Sequence, residues 1–169
     1  MAPTHVQTQT ATSASAVSSL TLSSFAVGSG SNRTLVAYVI WRDDTGSTPT
    51  VSSVVFNGSE SFTYRARAQI NYATDNYLTA EVWTLDNPTN TTANVVATLS
   101  EAVDANDGLA LVVSEYTGAN NGVGNTGAAT GNSSAPGVTF TTASSTSLIC
   151  AGSSQGDPTS SPYSPGSGT

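Results

Sequence analysis

The sequence predicts an all-β protein, an antiparallel β-sandwich of the jelly-roll or immunoglobulin-like kind with about eight or nine strands and little or no helix. Three observations support this fold class. Short runs of Val, Leu, Ile and aromatic residues recur along the chain, and several of them alternate with Ser or Thr. Clusters of Gly, Asn and Pro separate the runs. No window repeats its apolar residues with the period of a helix.

The first strands can be justified one at a time. Residues 19–27 (SLTLSSFAV) begin with the alternation of a strand that has one apolar face. Residues 34–41 (TLVAYVIW) are apolar without interruption, which is typical of a central strand buried on both faces. Residues 51–56 and 61–70 flank Asn57-Gly58, a pair that supplies the two positive φ angles of a type I′ turn. We therefore expect these two segments to form an antiparallel hairpin.

The remaining strands follow the same pattern of short apolar runs bounded by turn residues. They are predicted at residues 79–86, 93–100, 109–117, 137–142 and 147–152. Ser and Thr, with 26 of each, are interpreted as the exposed faces of strands and as turn residues. Thr suits a pleated surface because its branched Cβ is already stiff.

Residues 1–17 are interpreted as an extended N-terminal arm, and residues 18–169 as the sandwich domain. In an extended strand, successive side chains point to opposite faces. His5, Gln7 and Gln9 fall on one face of the arm. The other face offers the candidate residues for an assembly contact: Thr4, Val6, Thr8, Thr10 and Thr12.

Charge restricts the classes of partner. The formal net charge is -7, the four cationic side chains are all Arg, and the chain has no Lys. A surface of this kind repels phosphate backbones, so we expect no nucleic-acid partner. No apolar run approaches the length of a membrane span, so we expect no membrane insertion either.

No group of residues predicts catalysis, a metal site or a cofactor. His5 is the sole histidine and is flanked only by Thr and Val, so it is interpreted as a solvent-exposed or interface residue. Cys150 lies between apolar residues and indicates a buried, unreactive thiol. Glu81 and Glu115 lie on predicted strands, where solvated carboxylates are favoured over a catalytic pair. The protein is therefore predicted not to be an enzyme.

Two acidic loops carry an alternative interpretation. DANDG, Asp104 to Gly108, is predicted to be the turn that enters a strand, with a calcium loop as the alternative. The motif lacks the remaining ligand spacing and the bidentate Glu of such a loop. RDDTG, Arg42 to Gly46, is predicted to be a loop with a local contact between Arg and Asp.

Aromatic and Asn residues suggest glycan chemistry. Trp41 and Trp83 are predicted core residues, whereas Tyr72 and Tyr77 lie in a polar loop and are the candidates for glycan contact. Four Asn residues begin N-x-Ser/Thr sequons and are candidate glycosylation sites: Asn32, Asn57, Asn90 and Asn132. A chain this rich in Asn, Ser and Thr produces about that many sequons by chance, so their number does not predict glycosylation.

Three segments carry a family resemblance: VGSGSNRTLV (Val27 to Val36), TVSSVVFNG (Thr50 to Gly58) and the strand pair within Glu81 to Thr98. In this order they resemble a β-sandwich repeat that is common in bacterial surface proteins and bacteriophage virion proteins, and the likeness covers most of residues 18–152. The resemblance implies a non-enzymatic structural or adhesive module at the cell exterior or on a virion surface. It supplies no catalytic residues.

The resemblance also implies an uncovered sheet edge. Proteins similar to this pattern usually continue past the PGSGT motif into a strand that closes the sandwich, and this sequence shows no such strand. An uncovered edge can be completed by a strand from another chain, for which the N-terminal arm of a neighbouring copy is the candidate donor. We therefore expect a head-to-tail homopolymer, either a pilus-like fibril or the surface of a phage particle. The alternative function is a carbohydrate-binding or adhesion module.

Overall fold

Two antiparallel sheets pack face to face and form a β-sandwich, which confirms the predicted fold class. The computed structural model describes residues 3–105, 107–119, 124–131, 137–139, 141–142, 147 and 149–152, and none of these residues is helical. Within them, no helix of the length and apolar character needed to cross a membrane is found. The strands, in chain order, are β1 (Thr4–Ser13), β2 (Ser19–Ala26), β3 (Thr34–Asp43), β4 (Val51–Phe56), β5 (Glu60–Ser61), β6 (Thr63–Ala73), β7 (Asn76–Asp86), β8 (Thr92–Leu99) and β9 (Leu109–Thr117).

The five-stranded sheet has the order β1-β9-β3-β7-β6, and the four-stranded sheet has the order β2-β8-β4-β5. The central strand β3 is buried on both faces, as its uninterrupted apolar sequence predicts. Leu35 and Val39 face the other sheet and are fully buried, while Val36 and Tyr38, of the opposite parity, are also buried. β1 and β6 are left as the two edges of this sheet.

The core lies between the two sheets and is built from alternate residues of every long strand except the edge strands β1 and β6. Its largest fully buried side chains include Trp41, Phe25, Phe56, Leu35, Leu109 and Leu111. Each such side chain contributes about 1.5–3 kcal/mol by leaving water. Trp83 is also buried, so both predicted core tryptophans are confirmed.

The predicted hairpin is confirmed only at its turn. Asn57 and Gly58 adopt positive φ angles of 52° and 72°. The following segment pairs with β4 only through β5, and Phe62 donates a last backbone hydrogen bond to Val54 at 2.8 Å. The chain then crosses to the other sheet, where β6 pairs with β7. The expected pairing of residues 61–70 with 51–56 is therefore wrong, because a turn fixes the pairing of its immediate neighbours and not of a whole strand.

Two predicted strands are not formed in the described residues. Within 137–142 and 147–152, none of the residues that the structure describes belongs to a strand. Residues 140 and 148 of these runs lie outside the described residues. At the residues that are described, a short apolar run was not sufficient to predict a strand.

Candidate assembly site at the first strand

The predicted arm is extended, and within this chain it forms β1 at the edge of the five-stranded sheet. It pairs antiparallel with β9 along its whole length, from Thr4 opposite Thr117 to Ser13 opposite Leu109. The register shifts once, between His5 and Gln7. Beyond the shift, β1 is regular as far as its last residue. The β9 edge is thus covered by a strand of the same chain.

Beyond the register shift, the side chains of β1 alternate as the sequence predicts. Before the shift the predicted faces are wrong: His5 lies opposite Tyr116, on the face of Thr8, and Thr4 lies opposite Thr117, on the other face. The five predicted assembly residues, Thr4, Val6, Thr8, Thr10 and Thr12, are all exposed. Gln7, Gln9 and Ala11, of the opposite parity, are half-buried toward the sandwich interior. His5 is exposed, and its Nε2 lies 2.9 Å from Thr8 Oγ1. These positions leave the Thr-rich face of β1 open to solvent.

A buried carboxylate fixes β1 against β9. Glu115 has no exposed surface, and its Oε2 accepts a hydrogen bond from Gln7 Nε2 at 2.9 Å. Its Oε1 accepts a second bond from the backbone N–H of Gly28 at 3.1 Å. The Gln7 amide also donates to the Ala26 carbonyl at the end of β2. One polar side chain of β1 therefore connects both sheets.

The expectation that Glu81 and Glu115 are solvated is wrong, since both are buried. Glu81 accepts a bond from Trp83 Nε1 at 2.9 Å and faces Arg67 Nη1 at 3.7 Å. Burial raises the pKa of Glu81, and the Trp83 bond and the Arg67 charge oppose that rise. A sequence signal was present for Glu115, because it shares the parity of three buried apolar residues in β9.

The two buried glutamates do not form a catalytic pair. Glu81 lies opposite Val39 and Glu115 lies opposite Leu35, on the two strands that flank β3. A shift of four residues along a strand corresponds to roughly 13 Å, and the two flanking strands are a further ~10 Å apart. Paired glycosidase carboxylates lie about 5–9.5 Å apart. The pairing that hydrolysis of a glycoside would need is absent.

Apart from Ala11, β1 brings no side chain to the hydrophobic core. Its other contacts are polar or lie at the surface: Thr8 Oγ1 is 2.7 Å from Ser114 Oγ, and the ring of His5 lies edge-on to Tyr116 at 5.5 Å. Backbone hydrogen bonds to β9 therefore provide most of the attachment of this strand. Strands with few buried apolar contacts open at a low free-energy cost.

The candidate glycan residues, Tyr72 and Tyr77, lie on β6 and β7, so their predicted place in a polar loop is wrong, and they do not form one platform. Tyr77 shares the parity of the buried Thr79 and Glu81, so it points toward the interior side of β7. Tyr72 instead donates to Asn76 Oδ1 at 3.2 Å, on the opposite side of the strand. Both rings are half-buried. Stacking of one sugar on both rings is not possible from opposite faces.

The candidate glycosylation sites occupy exposed turns where the structure describes them. Asn32, Asn57 and Asn90 are all exposed. Asn132 lies outside the described residues.

The two acidic loops meet at one end of the sandwich. Asp43, Asp104 and Asp107 bring carboxylate oxygens within 4.8 Å of one another, a spacing that could hold a cation. Asp43 is fully buried and accepts bonds from Thr45 and Ser47, its close neighbours in the chain. This meeting of two distant loops could not be read from either motif alone.

Both loops otherwise behave as predicted. Asp107 N–H bonds to Asp104 O at 3.3 Å, which makes DANDG a turn that enters β9. Arg42 Nη2 lies 3.3 Å from Asp44 Oδ2, which is the predicted local contact. Arg42 Nε also lies 3.5 Å from Asp107 Oδ1, so the ion pair joins the two loops. Desolvation raises the pKa of Asp107.

Cys150 lies against the outer face of the five-stranded sheet, beside Tyr38 and Tyr116, and it is half-buried. Burial raises the pKa of the Cys150 thiol, which lowers its thiolate fraction. Burial also raises the pKa of Tyr116 to about 12. Residues 149–152, together with residues of β3 and β9, line a cavity of about 400 Å³. An activated cysteine requires a cationic neighbour. None of the groups that affect the pKa of the Cys150 thiol is cationic.

Comparisons of the chain with protein-family models, with curated proteins and with solved structures found no match. The resemblance to the β-sandwich repeat therefore remains an expectation from the sequence.

Proposed function

We propose that the protein is a non-enzymatic structural subunit of an extracellular assembly, a pilus-like fibril or the surface of a phage particle, and that copies associate through β1. The observation that carries this proposal is the small share of β1 in the hydrophobic core. β1 is a full-length strand that completes the β9 edge, yet it gives only Ala11 to the core. A neighbouring copy can therefore supply the same strand in the same place.

Exchange of β1 between copies conserves every contact. A neighbour's Gln7 would meet the same buried Glu115, and a neighbour's Thr8 would meet the same Ser114. Because the contacts are identical, the free-energy difference between the closed chain and the exchanged assembly is small, as in domain swapping. The equilibrium between the closed chain and the exchanged assembly is then set by the protein concentration and by the connection between β1 and β2.

The connection between the strands has a suitable hinge. Ala14, Ser15 and Ala16 are exposed, and none of the three packs against the core. The chain is fixed again at Val17 and Ser18, whose carbonyls accept bonds from Val103 and Leu99. A rotation confined to residues 14–16 would redirect β1 without disturbing β2. Head-to-tail exchange of this kind produces an open filament instead of a closed ring.

Composition supports an extracellular setting. A surface dominated by Ser and Thr, with few charges and no Lys, relies on hydrogen bonding and burial rather than on charged chemistry. The family resemblance carries the same implication.

A disulfide trap tests the proposal. Thr12 and Ala110 are Cα partners across β1 and β9, and neither is fully buried. The double variant Thr12→Cys/Ala110→Cys, in a Cys150→Ser background, is assembled at high concentration, oxidised and analysed on a non-reducing denaturing gel. Exchange predicts a ladder of covalent oligomers, because the two cysteines then belong to different chains.

A matched control uses Ile40→Cys/Ala110→Cys, a pair on the neighbouring strands β3 and β9, which exchange of β1 leaves within one chain. The control should give only monomers at every concentration. Covalent monomers alone from the Thr12/Ala110 variant, taken from assembled material, would refute the exchange.

A further inference from the structure

We infer that the outer edge of β1 is a second interface, where it pairs antiparallel with the same edge of another copy about a twofold axis that passes through Thr10. This inference goes beyond the proposed function, because edge pairing is available whether β1 remains in its own chain or is exchanged. It would join subunits laterally, through a continuous sheet that crosses the contact.

The outer edge of β1 has no strand partner in the described part of the chain. An exposed strand edge presents unpaired backbone N–H and C=O groups, and proteins usually protect such edges with charges, bulges, Pro or short length. From Gln7 to Ser13, β1 has a regular register and the sequence QTQTATS, which contains no charge and no Pro. The long regular part of this edge therefore lacks these protections.

Each of the other three edges is protected. β2 has a register shift between Leu22 and Phe25, where Ser24 adopts a φ of 56°. β5 is only two residues long. β6 carries Arg65 and Arg67 and has a register shift near each end. The contrast singles out β1 as the edge that is open to another strand.

The edge of β1 is complementary to itself. The regular run from Gln7 to Ser13 is centred on Thr10, so an antiparallel twofold pairing places Thr10 opposite Thr10 of the second copy. It also places Thr8 opposite Thr12 of the second copy. Thr–Thr pairs across antiparallel strands are favourable, contributing about 0.2–1 kcal/mol each. Gln7 falls opposite Ser13 on the other face, so no charge and no large apolar side chain obstructs the pairing.

The second copy is the occupant that these features favour. The edge offers only backbone groups and short polar side chains, which specify no charged or apolar partner. The self-complementary register is specific to another β1. The run from Gln7 to Ser13 carries no charged side chain, so the pairing brings no like charges together along the edge itself.

A charge-swap experiment tests the twofold pairing. Thr10→Lys and Thr10→Glu each place like charges opposite one another at the proposed axis, whereas an equimolar mixture places opposite charges there. Thr10 is exposed, so both variants should fold. Sedimentation velocity should show the dissociation constant of lateral association raised by roughly tenfold or more for each variant alone, a change of about 1.4 kcal/mol. The mixture should restore it, and 1 M salt should weaken both effects.

The matched control is Thr63→Lys, which adds the same charge to an exposed position on the protected edge strand β6. It should leave lateral association unchanged. Association of both Thr10 variants at the wild-type level, or a mixture that associates no better than either variant alone, would overturn the inference. The disulfide trap is independent of this result, since a covalent ladder together with a failed charge swap would reject the lateral interface and retain strand exchange.

Discussion

The two edges of the five-stranded sheet, β1 and β6, are built in opposite ways. β6 is attached by its side chains: Arg67 faces the buried Glu81 at 3.7 Å and lies 5.6 Å from the centre of the Trp41 ring. Tyr64 packs edge-on to Trp83 at 5.5 Å. β1 is attached mainly by its backbone. Strands of nearly equal length in one sheet can therefore differ greatly in how readily another strand could replace them.

The difference lies in what each strand leaves behind when it opens. Opening β6 would remove Arg67 and leave the Glu81 carboxylate in a buried site without a cationic partner. This is strongly unfavourable. Opening β1 would remove the hydrogen bond that Gln7 donates to Glu115, while the bond from the Gly28 N–H would remain. Water could then reach the side of the carboxylate that Gln7 covers. A neighbour's Gln7 can restore that bond. The comparison leads to three predictions, from the largest effect to the smallest.

The largest expected effect is at β6. Arg67→Ala removes the ion pair with Glu81 and the contact with Trp41, and it should lower the free energy of unfolding by about 3 kcal/mol. Urea denaturation measures this loss. The control Arg65→Ala removes a bond to the Thr84 hydroxyl and should cost only about 1 kcal/mol. Equal losses for the two variants would contradict the special role assigned to Arg67.

The intermediate effect is at β1. Gln7→Ala leaves Glu115 with one hydrogen bond fewer and should cost about 1–2 kcal/mol. Hydrogen exchange should show the loss of protection confined to β1, with β6 unchanged. Gln9→Ala is the control, because Gln9 bonds only to the side chain of Gln7, at 3.3 Å. A Gln7→Ala variant that loses protection equally in β1 and β6 would show that the two edges open together.

The smallest effect is a pH dependence at Glu81, the residue of β7 that faces Arg67 of β6. Burial raises the pKa of Glu81 in the folded protein above its unfolded value, so the folded state binds the proton more tightly. Stability contributed by this group is therefore greatest below the unfolded pKa and is lost as pH rises through the folded pKa. Acidification from pH 7 should stabilise the wild type relative to Glu81→Gln. A stability difference that stays constant between pH 7 and pH 4 would contradict this.

Local patterns in the sequence predict the long strands well. Alternation or uninterrupted apolar character placed β2, β3, β4, β7, β8 and β9, because side-chain burial in a strand depends on neighbours two residues away. The same patterns placed a strand over most of β6 but gave it the wrong partner. β6 pairs with β7, which follows it after only Thr74 and Asp75, and Asp75 adopts a φ of 59° in that turn. The Asn-Gly turn was the stronger hairpin signal, and it led to the wrong pairing.

The candidate site was predicted in part. The extended arm and the exposed Thr face from Thr8 to Thr12 follow from alternation, and the structure has both. The register shift, which puts Thr4 on the other face, does not follow from alternation. The partner of the arm in the chain, β9, is about a hundred residues away, so a window of local sequence cannot identify it. The meeting of Asp43 with Asp104 and Asp107 was missed for the same reason.

Hydrogen exchange of one sample before and after assembly tests the exchangeability of β1 most directly. In dilute solution, the amides of residues 7–13 should exchange much faster than those of residues 65–71, because few buried contacts oppose the opening of β1. At a concentration where copies associate, protection of residues 7–13 should rise toward that of residues 65–71. Equal protection of the two edges in dilute solution, with no change on concentration, would contradict the account.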